Sequence, residues 1–163
     1  MQNFEIKNKL LTQENKNEIK VLWQNNFCDD DEKTIDCFLE NVFENKKGVG
    51  AFINNELVAM VLFLNSKIIS KNKEFKSVYF YAVCTDEKYR KKGVATAIIN
   101  KMIEYCIEHR ASFITLEVRE SNTTAISLYE KMGFEKVGVR KNFYSAPTEN
   151  AILYTLQLKK EKK

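Results

Sequence analysis

The segment that most constrains this chain runs from Val78 to Val118. Val78 to Cys84 is dense in aromatic and β-branched residues and reads as a strand. From about Lys92 to His109, the residues Ala95, Ile98, Ile99, Met102, Ile103 and Cys106 recur at helical spacing and form one apolar stripe. Ser112 to Val118 alternates and reads as a second strand. A strand, a helix and a strand joined by short connections leave the two strands locally parallel. The chain is thereby committed to an α/β arrangement built around one parallel pair.

The flanking elements fill out that arrangement. Asn3 to Lys9 reads as a strand, and Thr12 can cap a helix reaching about Phe27, with Ile19, Leu22 and Trp23 on one face. Asp29-Asp30-Asp31-Glu32 opens a second helix, and Ile35, Phe38, Leu39, Val42 and Phe43 form its apolar side. Gly50–Ile53 and Leu57–Leu64 flank the turn Asn54-Asn55-Glu56. The lysine-rich stretch from Ser66 to Lys76 is expected to be a loop. Asn122 to Met132 reads as a helix, which Gly133 is placed to end in the left-handed conformation. Phe134–Arg140 and Ala151–Leu158 close the sheet. The expected product is a mixed, mostly antiparallel sheet with helices on both faces.

Composition limits the function classes. At 163 residues, 44% hydrophobic and 29% charged, the chain suits a single domain over residues 1–158 followed by a charged tail. The tail, residues 159–163, has four lysines and one glutamate, which supply three of the four net positive charges. The rest is near neutral, so no nucleic-acid partner is expected. No apolar run approaches the roughly 20 residues of a membrane span, and Met1 to Leu11 lacks the apolar core of a signal peptide. No membrane association and a cytoplasmic location are therefore expected. Cys28, Cys37, Cys84 and Cys106 form no C-x-x-C pair, and His109 is the sole histidine, so no metal site is expected. Cys84 and Cys106 fall in apolar segments and read as buried free thiols.

The chemistry concentrates where the first strand of the parallel pair meets the long helix. Arg90-Lys91-Lys92-Gly93-Val94-Ala95-Thr96 sets a basic loop with one glycine at a helix start. Backbone N–H groups and the helix dipole converge there, and Gly93 and Ala95 permit close approach. The site suits a pyrophosphate, with Arg90, Lys91 and Lys92 adding positive charge. A solvated, charged helix start is the plainer alternative. Neither G-x-x-x-x-G-K-[ST] nor G-x-G-x-x-G occurs.

Arg90-Lys91-Lys92-Gly93-Val94-Ala95 resembles the [RQ]-x-x-G-x-[GA] loop of the GNAT acetyltransferases. Leu116-Glu117-Val118-Arg119-Glu120-Ser121-Asn122, Ala125, Leu128-Tyr129 and Gly133-Phe134 resemble the second half of that fold. The likeness extends from about Phe52 to Leu158. Within the family it is nearest to the ribosomal-protein alanine N-acetyltransferase type, with Arg140-Lys141-Asn142-Phe143-Tyr144 in the right order. Phe143 stands where that type usually has tyrosine, and Asn150 where it usually has aspartate.

The resemblance implies a GNAT fold, its central parallel strands splayed around acetyl-CoA. It implies that the backbone of Val83, Cys84 and Thr85 pairs with the pantetheine arm and that Lys91 to Thr96 hold the pyrophosphate. Asn122 would reach a pantetheine amide; its other reading is a helix N-cap. Tyr129 would be the acid that protonates the departing thiolate, or else a core aromatic. Glu117 would be the base. Alternation puts Glu117, Thr115 and Phe113 on one strand face, and a carboxylate in so apolar a strand is costly unless paired or functional. An ion pair with Arg119 or Arg140 is the structural alternative. His109 reads as a partner for its helix's C-terminal dipole.

The implied activity is acetyl transfer from acetyl-CoA to a primary amine, with a protein N-terminal α-amine the leading acceptor. A polyamine, amino sugar or amino acid is the second reading. A non-catalytic acyl-CoA-binding module is the third, disfavoured by the presence of both Glu117 and Tyr129. A monomer or homodimer is expected.

Overall fold

A computed structural model describes residues 5–27, 29–43 and 47–158. Asn3 and Phe4 of the first expected strand, Cys28 and the tail 159–163 lie outside the described residues. By its contacts the chain divides into two compact units, Met1–Phe63 with Ala82–Met102, and Leu64–Tyr81 with Ile103–Lys163.

In the first unit, β1 (Lys7–Leu10) pairs antiparallel with β2 (Gly48–Ile53), Lys7 facing Phe52 and Leu10 facing Val49. The Thr12 hydroxyl accepts from the Glu14 N–H and the Asn15 side chain accepts from the Thr12 N–H, at 3.3 and 3.1 Å. These bonds close a short 3-10 turn, Gln13–Asn15, ahead of α1 (Lys16–Asn26). The helix expected from Thr12 is thus correct in place, with a tighter first turn. Ile19, Leu22 and Trp23 are its buried residues, the stripe read from spacing.

Asp31 caps α2 (Glu32–Asn41) by accepting from the Thr34 N–H at 2.8 Å. Trp23 donates its indole N–H to Asp30 at 2.9 Å and meets Phe38 edge-on at 5.1 Å. The acidic run before α2 therefore serves as cap and aromatic anchor. Phe43 is buried as expected, whereas Val42 is 39% exposed. These side chains, with Leu11, Phe52, Met60, Leu62, Ala82 and Cys84, form one core cluster.

β3 spans Glu56–Ser70 and β4 spans Lys73–Thr85. The expected hairpin at Asn54-Asn55 is present, both residues having positive φ (51° and 67°). The stretch Ser66–Lys76 is not the loop that its lysines suggest. The two strands run on through it and reverse at Lys71-Asn72, with φ of 47° and 62°. Strand pairing uses backbone groups, and beyond Leu64 the side chains are exposed or half-buried, so polar residues cost nothing there.

The second unit holds the parallel pair. Ser77, Val78, Tyr79 and Phe80 of β4 face Phe113, Ile114, Thr115 and Leu116 of β5 (Phe113–Arg119). The register ends there, while β4 continues to Thr85 and β5 to Arg119. α3 (Val94–Glu108) lies between them in sequence. α4 (Thr123–Lys131) follows β5 and ends at Gly133 with φ of 90°, the left-handed stop expected. β6 (Glu135–Ser145) and β7 (Thr148–Gln157) pair antiparallel, and β7 pairs antiparallel with β5. The strand order is β1-β2-β3-β4-β5-β7-β6. Among the described residues no helix is long and apolar enough to cross a membrane.

Met60 is fully buried in the first core, whereas Val21 on α1 is 56% exposed. Met60→Ala should cost about 2–5 kcal/mol in urea unfolding, and Val21→Ala no more than about 0.5 kcal/mol. Equal midpoints for the two variants would contradict this core assignment.

Candidate active site

The first unit carries the basic loop. At its entrance the Asp86 N–H donates to the Val58 carbonyl at 2.8 Å, and the Asp86 carboxylate accepts from the Lys88 N–H at 2.9 Å. Arg90 folds back, donating Nε–H to the Thr85 carbonyl at 3.2 Å and a terminal N–H to Asn26 at 2.9 Å. The Lys92 ammonium sits 5.5 Å from the Tyr89 ring centroid. Of the three basic residues read as phosphate ligands, Arg90 thus has a clear second task, fastening the strand end to α1.

Lys91 and Gly93 both have positive φ, 58° and 80°. A Cβ built on Gly93 would meet nothing within 4 Å. The glycine is therefore required by backbone conformation, and the space beside it is open. The first helical bond of α3 runs from the Ala97 N–H to the Gly93 carbonyl at 3.0 Å. The N–H groups of Val94, Ala95 and Thr96 precede that ladder and stand at the positive end of the helix dipole. Val83 is half-buried, and Cys84 and Thr85 are buried. Burial pushes the Cys84 thiol up to about 12, and does the same to Cys106. Both are the free, inert thiols anticipated from their apolar surroundings.

The second unit carries the two acid–base candidates. β5 alternates strictly. Ile114, Leu116 and Val118 are buried, and Phe113, Thr115, Glu117 and Arg119 lie half-buried on the other face. Glu117 Oε1 accepts from Arg140 at 3.1 Å, so the ion pair anticipated as its structural reading is formed. Oε2 of the same carboxylate is buried and has no hydrogen-bond partner in the protein.

Arg119, the other partner considered, bonds Glu149 at 3.1 Å and the carbonyls of Ala146 and Pro147 at 3.4 Å. Its guanidinium lies 4.0 Å from the Tyr144 ring centroid. Glu149 also accepts from the Ser121 N–H. Hydrogen bonding from the Ser121 side chain first, then from its backbone N–H, and Arg119 after them, holds the Glu149 carboxyl below its ordinary range.

The Asn122 side chain accepts from the Ala125 N–H at 3.2 Å, so it caps α4. Tyr129 is 6% exposed, its ring 5.5 Å from Phe134 and 6.4 Å from Tyr154. Cap and core readings are therefore realised for these two residues, and neither precludes a role toward a ligand. His109 stacks on Tyr105 at 3.9 Å and its ring nitrogen meets the Tyr105 carbonyl at 2.8 Å, at the end of its helix. Among the described residues no group of three or more His, Cys, Asp or Glu side chains gathers as a metal site.

Sequence reasoning passed over Tyr79. It faces Thr115 in the parallel register, two residues before Glu117. Burial first, and then the Glu117 charge, pushes its phenol up to about 12, with Tyr144 and Tyr81 adding to the shift and Arg140 opposing it. The available signal was alternation. Val78, Phe80, Ala82 and Cys84 share the buried face of β4, which leaves Tyr79, Tyr81 and Val83 for the other.

Comparison with known proteins agrees with this arrangement. An N-alpha-acetyltransferase of Saccharolobus solfataricus is 35% identical over 108 residues, covering 63% of this chain and 64% of that one. The [ribosomal protein bS18]-alanine N-acetyltransferase of Escherichia coli K12 is 31% identical over 80 residues, 48% of this chain and 54% of the other. The chain thus spans between half and two thirds of the length of these two relatives. Among solved structures, the ribosomal-protein-S18-alanine N-acetyltransferase from Escherichia coli superposes with a TM-score of 0.80 at 20% identity, covering 98% of this chain and 97% of that one. Arabidopsis thaliana NAA60 in complex with a bisubstrate analogue gives 0.80 at 21% identity, covering 95% and 100%. The family model for the acetyltransferase (GNAT) family matches residues 13–134, and on that match the chain belongs to the GNAT acetyltransferases.

Proposed function

We propose that the protein is an acetyl-CoA-dependent N-acetyltransferase whose acceptor is a primary amine, in the first place the α-amine of a protein N-terminus. The observation that carries the reading is the loop before α3. Left-handed Lys91 and Gly93, open space at Gly93, and three N–H groups ahead of the helical ladder together suit a pyrophosphate. The choice of acceptor follows the relatives, which are named for N-terminal acetylation. Acetyl-CoA itself is present in a solved complex of the structural neighbour NAA60.

In the first unit, Lys91 to Thr96 hold the phosphates, with Lys92 and Arg90 contributing charge. The backbone of Val83, Cys84 and Thr85 pairs with the pantetheine arm. In the second unit, Asn122 reaches a pantetheine amide, Glu117 takes a proton from the acceptor ammonium and Tyr129 gives one to the leaving thiolate. The free amine attacks the thioester carbon. The carbon–sulfur bond breaks as the amide forms, coenzyme A leaves as the thiol, the second proton lost by the nitrogen restores the Tyr129 phenol by way of solvent, and the ammonium proton passes from Glu117 to solvent.

Acetyl-CoA should raise the melting temperature by mass action. Gly93→Phe should abolish both that shift and the binding heat, because its side chain would sit in the open space under a strained φ. Full acetyl-CoA affinity in Gly93→Phe would remove the loop from the site.

Tyr129→Phe keeps the ring and loses the hydroxyl. Turnover should fall by about 10²–10⁴ where chemistry limits the rate, with acetyl-CoA affinity nearly intact. A variant with undiminished single-turnover rates would return Tyr129 to the core aromatics.

Glu117→Gln should be slow near neutral pH and recover in part as pH rises, since solvent then deprotonates the amine. An α-amine loses its proton near 7.7–8.0 and a lysine-like amine near 10.4, roughly. Over pH 7–9 the recovery should therefore be nearly complete in extent for a peptide α-amine and still climbing for a polyamine. Wild-type rates at every pH would make Glu117 a structural carboxylate. A thiol-release assay across peptides, polyamines, amino sugars and amino acids identifies the preferred acceptor.

A further inference from the structure

The Glu117 carboxylate is held asymmetrically. Oε1 meets Arg140 at 3.1 Å, and Oε2 is buried without a protein partner. The two partners differ in setting, the glutamate side chain being 12% exposed and the arginine 53%. An ion pair with so exposed an arginine adds little to stability. A buried carboxylate oxygen lacking a donor is unfavourable unless something supplies one. The arrangement is therefore poorly explained as a device for stability.

Arg140 is itself carefully placed. Its register partner on β7 is Ala151, after which β6 bulges until Tyr144 faces Glu149. Inside the bulge Asn142 has φ of 50°, and its N–H donates to the Asn150 side-chain oxygen at 3.0 Å. The Asn150 amide in turn donates to Glu120 at 3.0 Å, a bond that an ionised aspartate at this position could not make. The bulge sets the Phe143 ring against the Arg140 guanidinium, at 4.9 Å from its centroid.

We propose that Arg140 is a positioning residue for acetyl transfer. It fixes one oxygen of Glu117 and so presents the other, Oε2, as the single acceptor for the ammonium of the incoming amine. The proposal rests on the reading of Glu117 as the base. Tyr79 of β4 lies within range of the Glu117 charge, and the other groups that act on that phenol are Tyr81 of β4 and Arg140 and Tyr144 of β6.

The test is kcat/KM with a peptide α-amine acceptor, for the wild type, Arg140→Met, Arg140→Lys, Glu117→Gln and the double variant Glu117→Gln/Arg140→Met. Acetyl-CoA binding heat checks that each variant is folded. Arg140→Met should lose about tenfold or more in kcat/KM, the scale of a hydrogen bond to a charged group. Arg140→Lys should recover part of the rate. The double variant should be no slower than Glu117→Gln, because Arg140 acts only through that carboxylate.

Two results overturn the proposal while leaving Glu117 as the base. One is multiplying losses in the double variant, and the other is an undiminished kcat/KM in Arg140→Met beside a slow Glu117→Gln. Wild-type rates in Glu117→Gln instead overturn the reading beneath it. If Arg140→Met fails to bind acetyl-CoA, Arg140→Lys decides, since a lysine variant with no more activity than Glu117→Gln also counts against the proposal.

Discussion

The parallel ladder between β4 and β5 determines what each neighbouring side chain is able to do. It runs from Ser77 opposite Phe113 to Phe80 opposite Leu116 and goes no further. Within it, Ile114 and Leu116 of β5 must face the core, since both are essentially inaccessible to solvent. Period-two geometry then turns Thr115 and Glu117 to the opposite face. Glu117 is the first β5 residue past the last position paired with β4, where its carboxylate lies near the Tyr79 phenol of β4 and bonds a guanidinium from β6. A one-residue slip of register would bury the glutamate in the core and expose Leu116. The same apolar burial that stabilises the sheet therefore decides which face of β5 carries the carboxylate.

The loop after β4 applies a different constraint. Two residues with positive φ, Lys91 and Gly93, turn the chain from extended backbone into a helix. Such a turn leaves the opening N–H groups of α3 outside the helical ladder. Arg90 fastens the turn by bonding the Thr85 carbonyl and Asn26. A fixed backbone donor set needs no reorganisation when an anion arrives, which is the advantage of main chain over flexible lysine heads. The lysines raise the local potential, and the backbone sets the geometry.

Much of this was legible in the sequence, and the reasons differ by element. The α1 and α2 stripes, the α3 stripe and the alternation of β5 follow from burial on one face, which spacing records directly. The turns at Asn54-Asn55 and Gly133 were legible because positive φ narrows residue choice. The far end of the β3–β4 hairpin, residues 65–76, was not, because no side chain there is buried. β6 failed in the same way beyond Arg140. Nearly all of it is exposed, and a bulge breaks its period between Arg140 and Tyr144. At the candidate site, Glu117 stood out as a charge in an apolar strand. Tyr79 did not, since a tyrosine in a strand is ordinary until its neighbours are known.

The sorting of charges at the end of β5 shows how far local sequence falls short. Glu117 and Arg119 share one face, two residues apart, and composition alone would join them. Side chains at that spacing rise from the strand side by side, and each finds a better partner across the sheet. Arg119 reaches the β6–β7 turn, where Glu149 and two carbonyls receive its fork and Tyr144 its flat face. Had Glu117 taken Arg119 instead, that turn would lose its fastening and Glu149 would lose a cation that helps to keep it ionised. Because Arg119 is engaged there, Glu117 is left to Arg140, a single contact that occupies one oxygen. Selection of partners by strand pairing, rather than by nearness in sequence, is what leaves this carboxylate half-engaged.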